Sequence, residues 1–480
     1  MGAILAVIKS LERRMDIMRI IRDSGPVDKY LTRRLSGNVF TWREIFDLMI
    51  PGVLDSLSIM FINTLITALI SKNGETSVAA VSLMGPVTAV VVNIFNGISS
   101  GGTVVVAQCC GRKDIAQKRA AIGITMWMTI LVGTVICLPF LIAPHGVVHM
   151  LYPNAEAEVT EKAQTFLWGV SWSILIFTVY TASFAVLRGL GYSKRCLALS
   201  IIINVAYFLF SILFLNFMNL DIKGSVYALF LARLIGTVCA VAMLFFWRPP
   251  EKMKLKEVFS FDRKLIASML KVGIPLGVEQ MFIAFANIVS NMFMTLLGTT
   301  AIATNAIANS LLGLLFAPAM SINGLTVTVV GRCIGAQELD EAKRYGRSCC
   351  KISRALLILF SLIFYPCLPL LLQQYNPSAE SARMVPLLLY ATIPFLIYFW
   401  PIGYTMPNTL RAANDTVFPS ILSLSVLWVI NIAIGYVLAI PAGLGLWGVW
   451  IATWLGWIVR ASGFGMRFRS GKWITNSLKQ

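Results

Sequence analysis

Apolar residues in this chain are gathered into long stretches, separated by short segments that hold most of the charged residues. An α-helix needs about 20 apolar residues to cross a hydrocarbon core about 30 Å thick. Twelve stretches are long enough, at approximately 45–70, 78–110, 119–143, 163–187, 196–218, 224–247, 265–297, 301–331, 348–372, 384–407, 417–439 and 444–466. The pattern predicts an all-α, polytopic membrane protein with twelve transmembrane helices.

Three of these stretches contain residues that interrupt helices. Glycine and proline are tolerated in a membrane helix where neighbouring groups re-satisfy the backbone. We expect kinks or local unwinding in 78–110 and 301–331, and breaks in 384–407, at Gly97, Gly101, Gly102, Pro318, Gly324, Pro394, Pro401, Gly403 and Pro407.

Composition agrees with a membrane protein and excludes several classes of function. Hydrophobic residues make up 57% and charged residues 13% of the chain, whereas soluble proteins average about 45–50% and 25%. The sequence has no Walker motif for nucleotides, no catalytic constellation and only two histidines. We therefore expect no enzymatic activity, no metal site and no cofactor other than a coupling ion, H⁺ or Na⁺.

The distribution of basic residues orients the helices. Of the 40 Lys and Arg, 35 fall at the chain ends, in alternate loops or in the parts of the spans next to them, and only four fall in the other loops. Cytoplasmic loops of membrane proteins collect Lys and Arg. Both termini are therefore predicted to be cytoplasmic, in a multi-pass protein of the cell (plasma or inner) membrane. The net charge of +18 then indicates contact with the bilayer and not with nucleic acid.

The two halves of the chain repeat each other at an offset of 224 residues. Matching pairs include Pro51 and Pro275, Asn63 and Asn287, and Gly74 and Gly298. Because the offset encloses six spans, both halves enter the membrane from the same side. The predicted architecture is two six-helix bundles related by a pseudo-two-fold axis along the membrane normal.

This repeat also sets the expected domain boundaries. They are a basic cytoplasmic extension at 1–43, an N-lobe at 44–247, a cytoplasmic linker at 248–264, a C-lobe at 265–466 and a cytoplasmic tail at 467–480.

Apart from Asp47 at the start of the first span, the acidic residues within the spans are Asp55 and Glu279, at matching positions four residues after Pro51 and Pro275. An ionisable group at the bilayer centre costs about 2.5–3.5 kcal/mol on insertion scales, so such groups are usually functional. Each carboxylate could exchange a proton or bind Na⁺, with oxygens of Asn63, Asn287 and Gln280 as further ligands. We predict that Glu279, with Asp55, couples ion movement to transport; the structural alternative is that each pins a kinked helix.

Aromatic residues are concentrated in the repeat-related spans 163–187 and 384–407. Aromatic faces suit apolar or cationic ligands, although aromatic residues at the membrane interface explain some of them equally well. We predict a binding cavity between the lobes, lined in part by Trp172, Tyr180, Tyr398 and Tyr404. Arg188 and Arg411, each near a cytoplasmic span end, are interpreted as anchors that extend to the interface.

Several short motifs together resemble the multidrug and toxic compound extrusion (MATE) family over about residues 44–466. They are Ile50-Pro51, Ile274-Pro275, Gly74-Glu75, the segment Gly101 to Gln108, Leu187-Arg188-Gly-Leu-Gly, and Leu410-Arg411-Ala-Ala-Asn-Asp. The resemblance implies a V-shaped pair of six-helix lobes that exports organic cations, drugs or other xenobiotics in exchange for H⁺ or Na⁺. Many members carry an Asp late in the first helix, where this chain has Ile66; the sequence leaves open whether Asp55 replaces it.

Other functions stay open at this level. The main alternative is a flippase for a lipid-linked precursor, which would need a large cationic cavity, whereas Arg233 is the one arginine near the middle of a span. A major-facilitator-type carrier fits the repeat but not the loop after the second span, and a receptor or scaffold is disfavoured by the short loops. The predicted partners are the lipid bilayer and a small cationic or amphipathic substrate, with no obligate protein partner.

Overall fold

The computed structural model describes residues 25–70, 75–151, 157–218, 220–245, 261–375 and 377–474. Across those ranges the regular secondary structure is helical throughout, and every one of the twelve predicted spans falls on helix. Ten helices in the described part are long and apolar enough to cross a membrane by length and composition. The all-α fold class predicted from the hydrophobic pattern is confirmed.

The chain divides into two compact units. The first contains Phe46–Gly277, and the second contains Leu31–Ile45 and Val278–Gln480. The division falls within a helix, after Gly277, while most of the predicted linker 248–264 lies outside the described residues. The predicted lobe boundaries therefore stay a prediction.

The first half of the chain contains a short amphipathic helix, seven further helices and a π-helical turn that ends α7. They are α1 (Pro26–Leu35), α2 (Trp42–Ile70), α3 (Glu75–Arg112), α4 (Ile115–Ile142), α5 (Pro144–Leu151), α6 (Ala157–Gly189), α7 (Ser193–Ser211, then the π turn Ile212–Phe217) and α8 (Asp221–Phe245).

The second half begins with long helices and continues with shorter, interrupted ones. They are α9 (Arg263–Met294, then a 3₁₀ turn at Thr295–Leu297), α10 (Thr299–Gly335), α11 (Leu339–Gln373), α12 (Ala379–Tyr398), α13 (Trp400–Tyr404), α14 (Met406–Ala412), α15 (Val417–Ser425, then a π segment at Val426–Ile434), α16 (Gly435–Ala439) and α17 (Leu446–Arg469). The π segments of α7 and α15 fall on the fifth span of each half, as the repeat would require.

The structure treats the predicted interruptions differently. α3 and α10 run as unbroken α-helix through their glycines and Pro318, so the local unwinding considered for them does not occur. The span at 384–407 is broken at Phe399 and Thr405, each shortly before a proline. Proline cannot donate a backbone hydrogen bond to the carbonyl four residues earlier, and its ring crowds that carbonyl, so each break falls within the helical turn that precedes Pro401 or Pro407.

Part of the predicted N-terminal extension is built into the second unit. The backbone N–H of Val39 donates to the Glu341 carboxylate at 3.1 Å, and the Tyr345 hydroxyl donates to the Phe40 carbonyl at 2.9 Å. Phe40 is buried and its ring meets that of Tyr345 edge-on at 6.1 Å. These contacts place residues 31–45 against the first turns of α11.

Close packing in the first unit depends on Gly102 of α3. A Cβ at this position would collide with the side chain of Thr125 on α4, which is completely buried. The absence of a side chain therefore lets α3 and α4 approach beside the main core of this unit.

We expect Gly102→Ala to destabilise the purified protein by about 1–3 kcal/mol, the usual range for overpacking a core. Gly85→Ala is the matched control, because it lies on the same helix and a Cβ there meets nothing within 4 Å. Thermal unfolding in detergent measures both variants. If Gly102→Ala unfolds at the same temperature as Gly85→Ala, Gly102 is not needed for the packing.

Candidate functional site

The first unit contains a partly open cavity of about 440 Å³ lined by residues of α2, α3, α6, α7 and α8. Its charged lining consists of Asp55, Arg188 and Arg233. Asn96, Ser200 and Asn204 add polar groups, and Phe177, Tyr180, Phe184 and Tyr207 add aromatic surface. A mostly apolar cavity with a few convergent polar groups is the usual form of a small-molecule site.

Asp55 contributes the carboxylate of this cavity from α2. The residue is only 6% exposed, it shares a hydrogen bond with the Ser200 side chain, and the charge of Arg188 acts on it. Within the described residues, its Oδ1 atom has no hydrogen-bond partner. A buried carboxylate with an unpaired oxygen is able to accept a proton or a cation.

Arg233 contributes a positive charge from the middle of α8. Its Nη1 donates to the Ser173 hydroxyl at 2.6 Å, and the guanidinium lies 4.6 Å from the centre of the Phe177 ring. The titratable groups that interact with it are the phenol of Tyr207 and the thiol of Cys137, neither of which is a carboxylate. The cavity therefore contains a guanidinium that is held in place by neutral groups.

One wall of the cavity is a ladder of aromatic rings on α6. Phe177 stacks on Tyr180 with ring centres 5.3 Å apart, and Tyr180 stacks on Phe184 at 5.8 Å. Residues three and four apart on a helix lie on the same face, so this surface is continuous. Tyr180, predicted as a binding residue, is in the cavity.

In the second unit the Glu279 side chain is buried and contacts an arginine and a serine. Arg411 Nη2 donates to Glu279 Oε2 at 2.6 Å, and the Ser420 hydroxyl donates to the same oxygen at 3.0 Å. Glu279 is 5% and Arg411 9% exposed. Interpreting Arg411 as an anchor at the interface was wrong, since its guanidinium is turned inward by a carboxylate on α9.

The two acids therefore lie in equivalent surroundings. Asp55 on α2 has Arg188 from the end of α6 and Ser200 from α7; Glu279 on α9 has Arg411 from α14 and Ser420 from α15. The acids and the arginines are pairs that the sequence repeat had already matched, whereas the serines emerge only in the structure. An acid, an arginine and a serine thus recur on the first, fourth and fifth spans of each half.

The remaining predicted site residues are dispersed. Gln280 is half-buried on α9 and Asn287 is exposed, and the side chains of Asn63 and Ile66 lie outside the described residues. Tyr404 stacks on Trp400 with ring centres 5.0 Å apart, and the Arg460 guanidinium lies 5.2 Å from the centre of the Tyr404 ring. Tyr398 is 63% exposed, beside Arg354.

Trp172 lies on the surface of the first unit and not in the cavity. With Trp168, Tyr227, Phe230 and Lys223 it lines an open groove of about 530 Å³ between α6 and α8. Trp168 and Trp172 are each about half exposed. The predicted role of Trp172 in substrate binding gains no support from this position and stays a prediction.

Reasoning from the sequence overlooked two buried arginines. The hydrophobic pattern gives Arg233 no role, and it does not single out Arg460 within the span 444–466. Arg460 is 7% exposed and donates to the Ser423 carbonyl at 3.1 Å. A signal for both existed in the sequence, because each arginine lies well within an apolar stretch. In the described part of the chain no group of three or more His, Cys, Asp or Glu could hold a metal ion.

A helical membrane chain of two repeats, with ionisable residues buried among its helices, has the features of a secondary transporter. The model of the MatE family matches residues 51–214 and 275–437, which covers both repeats. The chain belongs to this family, the MATE multidrug efflux transporters, as its motifs predicted.

Similar proteins support this assignment over nearly the whole length. "Uncharacterized transporter YisQ" of Bacillus subtilis (strain 168) is 25% identical over 446 residues, covering 91% of this chain and 96% of that protein. "Probable multidrug resistance protein NorM" of Bradyrhizobium diazoefficiens is 26% identical, covering 89% and 92%. A solved structure described as "Outward-facing conformation of a multidrug resistance MATE family transporter of the MOP superfamily" has a TM-score of 0.83 at 19% identity, covering 94% and 99%.

Proposed function

We propose that this protein is an ion-coupled antiporter that exports drug-like organic molecules across the cell membrane by alternating access, in exchange for H⁺ or Na⁺. The observation that carries the proposal is the buried Asp55 carboxylate, which lines the cavity of the first unit and keeps one oxygen unpaired. Relatives named as probable multidrug resistance proteins support drug-like substrates.

The geometry suggests how coupling would work. When Asp55 is charged it attracts Arg188 and accepts from Ser200; a bound proton or cation cancels that charge and weakens both interactions. A ligand shifts a conformational equilibrium only through different affinities for the two states. An ion at Asp55 would therefore favour one conformation of the cavity, and the substrate would favour the other. Glu279, with Arg411, would respond in the same way in the second unit.

Orientation and location follow from the charge distribution. Both termini are proposed to be cytoplasmic in a multi-pass protein of the plasma or inner membrane, because basic residues are concentrated at the chain ends and in alternate loops, with few in the other loops. The proposed cycle requires no cofactor and no protein partner, and it converts no substrate chemically. The cationic substrate implied by the family resemblance stays a prediction.

The flippase alternative gains one observation, since the cavity contains two arginines, Arg188 and Arg233. The cavity volume of about 440 Å³ lies at the lower end of the range of about 300–1,000 Å³ that is typical of pockets for drug-sized ligands. A lipid-linked precursor with a large head group would need more space, so the exporter is the better-supported function.

Transport by the purified protein in proteoliposomes tests the proposal. We expect efflux of a labelled organic probe to accelerate when an H⁺ or a Na⁺ gradient is imposed, and the effective gradient identifies the coupling ion. An ionophore that collapses this gradient should return the rate to that of protein-free vesicles. One anionic and one cationic probe are tested. If neither gradient changes the efflux rate of either probe, ion-coupled export is contradicted.

A further inference from the structure

We infer that the cavity of the first unit takes organic molecules with a negatively charged group, and that Arg233 binds this group. The inference rests on the proposed function in treating this cavity as the substrate site, and it replaces the cationic class suggested by family resemblance with an acidic one. It is carried by the charges that line the cavity and by the donors of Arg233 that remain available.

Among the residues that the structure describes, no acidic side chain pairs with Arg233, where one would be expected. Intramembrane arginines generally face the bundle interior and pair with a carboxylate or with backbone carbonyls. Among the described residues, Arg233 hydrogen-bonds to the Ser173 hydroxyl and lies over the Phe177 ring. A guanidinium has five N–H donors in a planar fork, and the hydrogen bond to Ser173 engages only Nη1. The remaining donors belong to a group that lines the cavity.

The other two charges of the cavity offset each other. The positive charge of Arg188 acts on Asp55, and Ser200 shares a hydrogen bond with the same carboxylate. Arg188 also lies 4.8 Å from the centre of the Phe184 ring, which holds it at the cavity wall. With Asp55 charged, the cavity has one positive charge in excess, that of Arg233. With Asp55 protonated the excess is greater still, so neither state favours a cationic ligand over an anionic one.

The rest of the lining suits an aromatic body attached to the acidic group. Phe177 is both the ring beneath Arg233 and the first ring of the Phe177–Tyr180–Phe184 ladder. A flat apolar body stacked on this ladder would therefore extend directly from a carboxylate or sulfonate held by Arg233. Arginine binds such groups through two parallel hydrogen bonds, which are stronger than neutral ones.

A matched pair of ligands tests this inference by binding alone. Naphthalene-2-sulfonate and 2-naphthyltrimethylammonium share a ring system and keep opposite charges at every accessible pH. Calorimetry with the full-length protein in nanodiscs, corrected with empty nanodiscs, measures both. We expect the protein to bind the sulfonate at least about tenfold more tightly, as a charge-assisted bidentate contact would provide.

Three variants assign the preference to Arg233. Arg233→Gln should remove most of the preference for the sulfonate, and Arg233→Lys should keep its direction. Lys223→Gln is the matched control, because it removes the same charge from the same helix but lines the outer groove and not the cavity. It should leave the preference unchanged.

Two results would overturn the inference. The first would be that the wild-type protein binds the ammonium ligand as tightly as the sulfonate or more tightly. This result can be observed without any variant. The other is a folded Arg233→Gln variant that keeps the full preference. Because binding is measured without any gradient, a failure of ion-coupled export leaves this result interpretable, and the two proposals can fail separately.

Discussion

Replacing Asp55 by Asn is expected to lower gradient-driven export by about 100-fold, near the upper end of the 1–3 kcal/mol typical of coupling between two sites. The amide has nearly the same size but cannot take up a proton, and it lacks the charge that attracts Arg188. The charge at this position should therefore no longer change when the ion gradient is imposed. Exchange of labelled for unlabelled substrate without a gradient should continue, because it does not need the ion to move.

Asp47→Asn provides the matched control for this experiment. Asp47 lies on the same helix, two turns before Asp55, and pairs with Lys194 at 3.3 Å while 41% exposed. It should export at the wild-type rate. Gradient-driven export by Asp55→Asn at the rate of Asp47→Asn would show that Asp55 is not the coupling group, and loss of exchange as well would show that it serves binding instead.

Breaking the Glu279–Arg411 pair should have the largest effect on stability. Arg411→Gln leaves a carboxylate buried and unpaired, and removing one partner of a buried ion pair typically destabilises a protein by about 3–5 kcal/mol. The Ser420 hydroxyl, at 3.0 Å, is too weak a partner to compensate for a guanidinium at 2.6 Å. We expect Arg411→Gln to unfold at a clearly lower temperature than the wild-type protein.

The double variant Glu279→Gln with Arg411→Gln distinguishes the pair from its members. It carries no buried charge at this position, so it should recover most of the stability that Arg411→Gln loses. Thermal unfolding of the four proteins in one detergent completes the double-mutant cycle. Additive losses, or an Arg411→Gln variant as stable as wild type, would contradict an ion pair that matters for folding.

The pair also changes which acid we expect to lead in coupling. The sequence ranked Glu279 above Asp55, because Glu is longer and Gln280 and Asn287 follow it. In the structure a guanidinium already neutralises Glu279, and Asn287 is exposed, whereas Asp55 lines a cavity with one oxygen unpaired. We therefore expect Glu279→Gln to reduce both stability and export, and Asp55→Asn to affect export alone.

Hydrophobic pattern and internal repetition together determined the fold class, the positions of the spans and the two acids that matter. Spans were predictable because a bilayer demands about 20 apolar residues per crossing, a constraint that acts locally along the chain. Asp55 and Glu279 were recognisable for the related reason that a charge in an apolar stretch is costly. The breaks at Phe399 and Thr405 were also foreseeable, since proline removes a backbone hydrogen bond from the helical turn before it.

Tertiary structure alone decided what each of these residues contacts. Arg411 lies 132 positions from Glu279 along the chain. The sequence around Ser200 and Ser420 does not distinguish them from other serines in apolar helices. Trp172 and Tyr180 fall two turns apart on α6, yet one lies in a surface groove and the other in the cavity. Hydropathy does not distinguish the faces of a helix that is apolar all round, so packing between distant helices determines which side chains line the site.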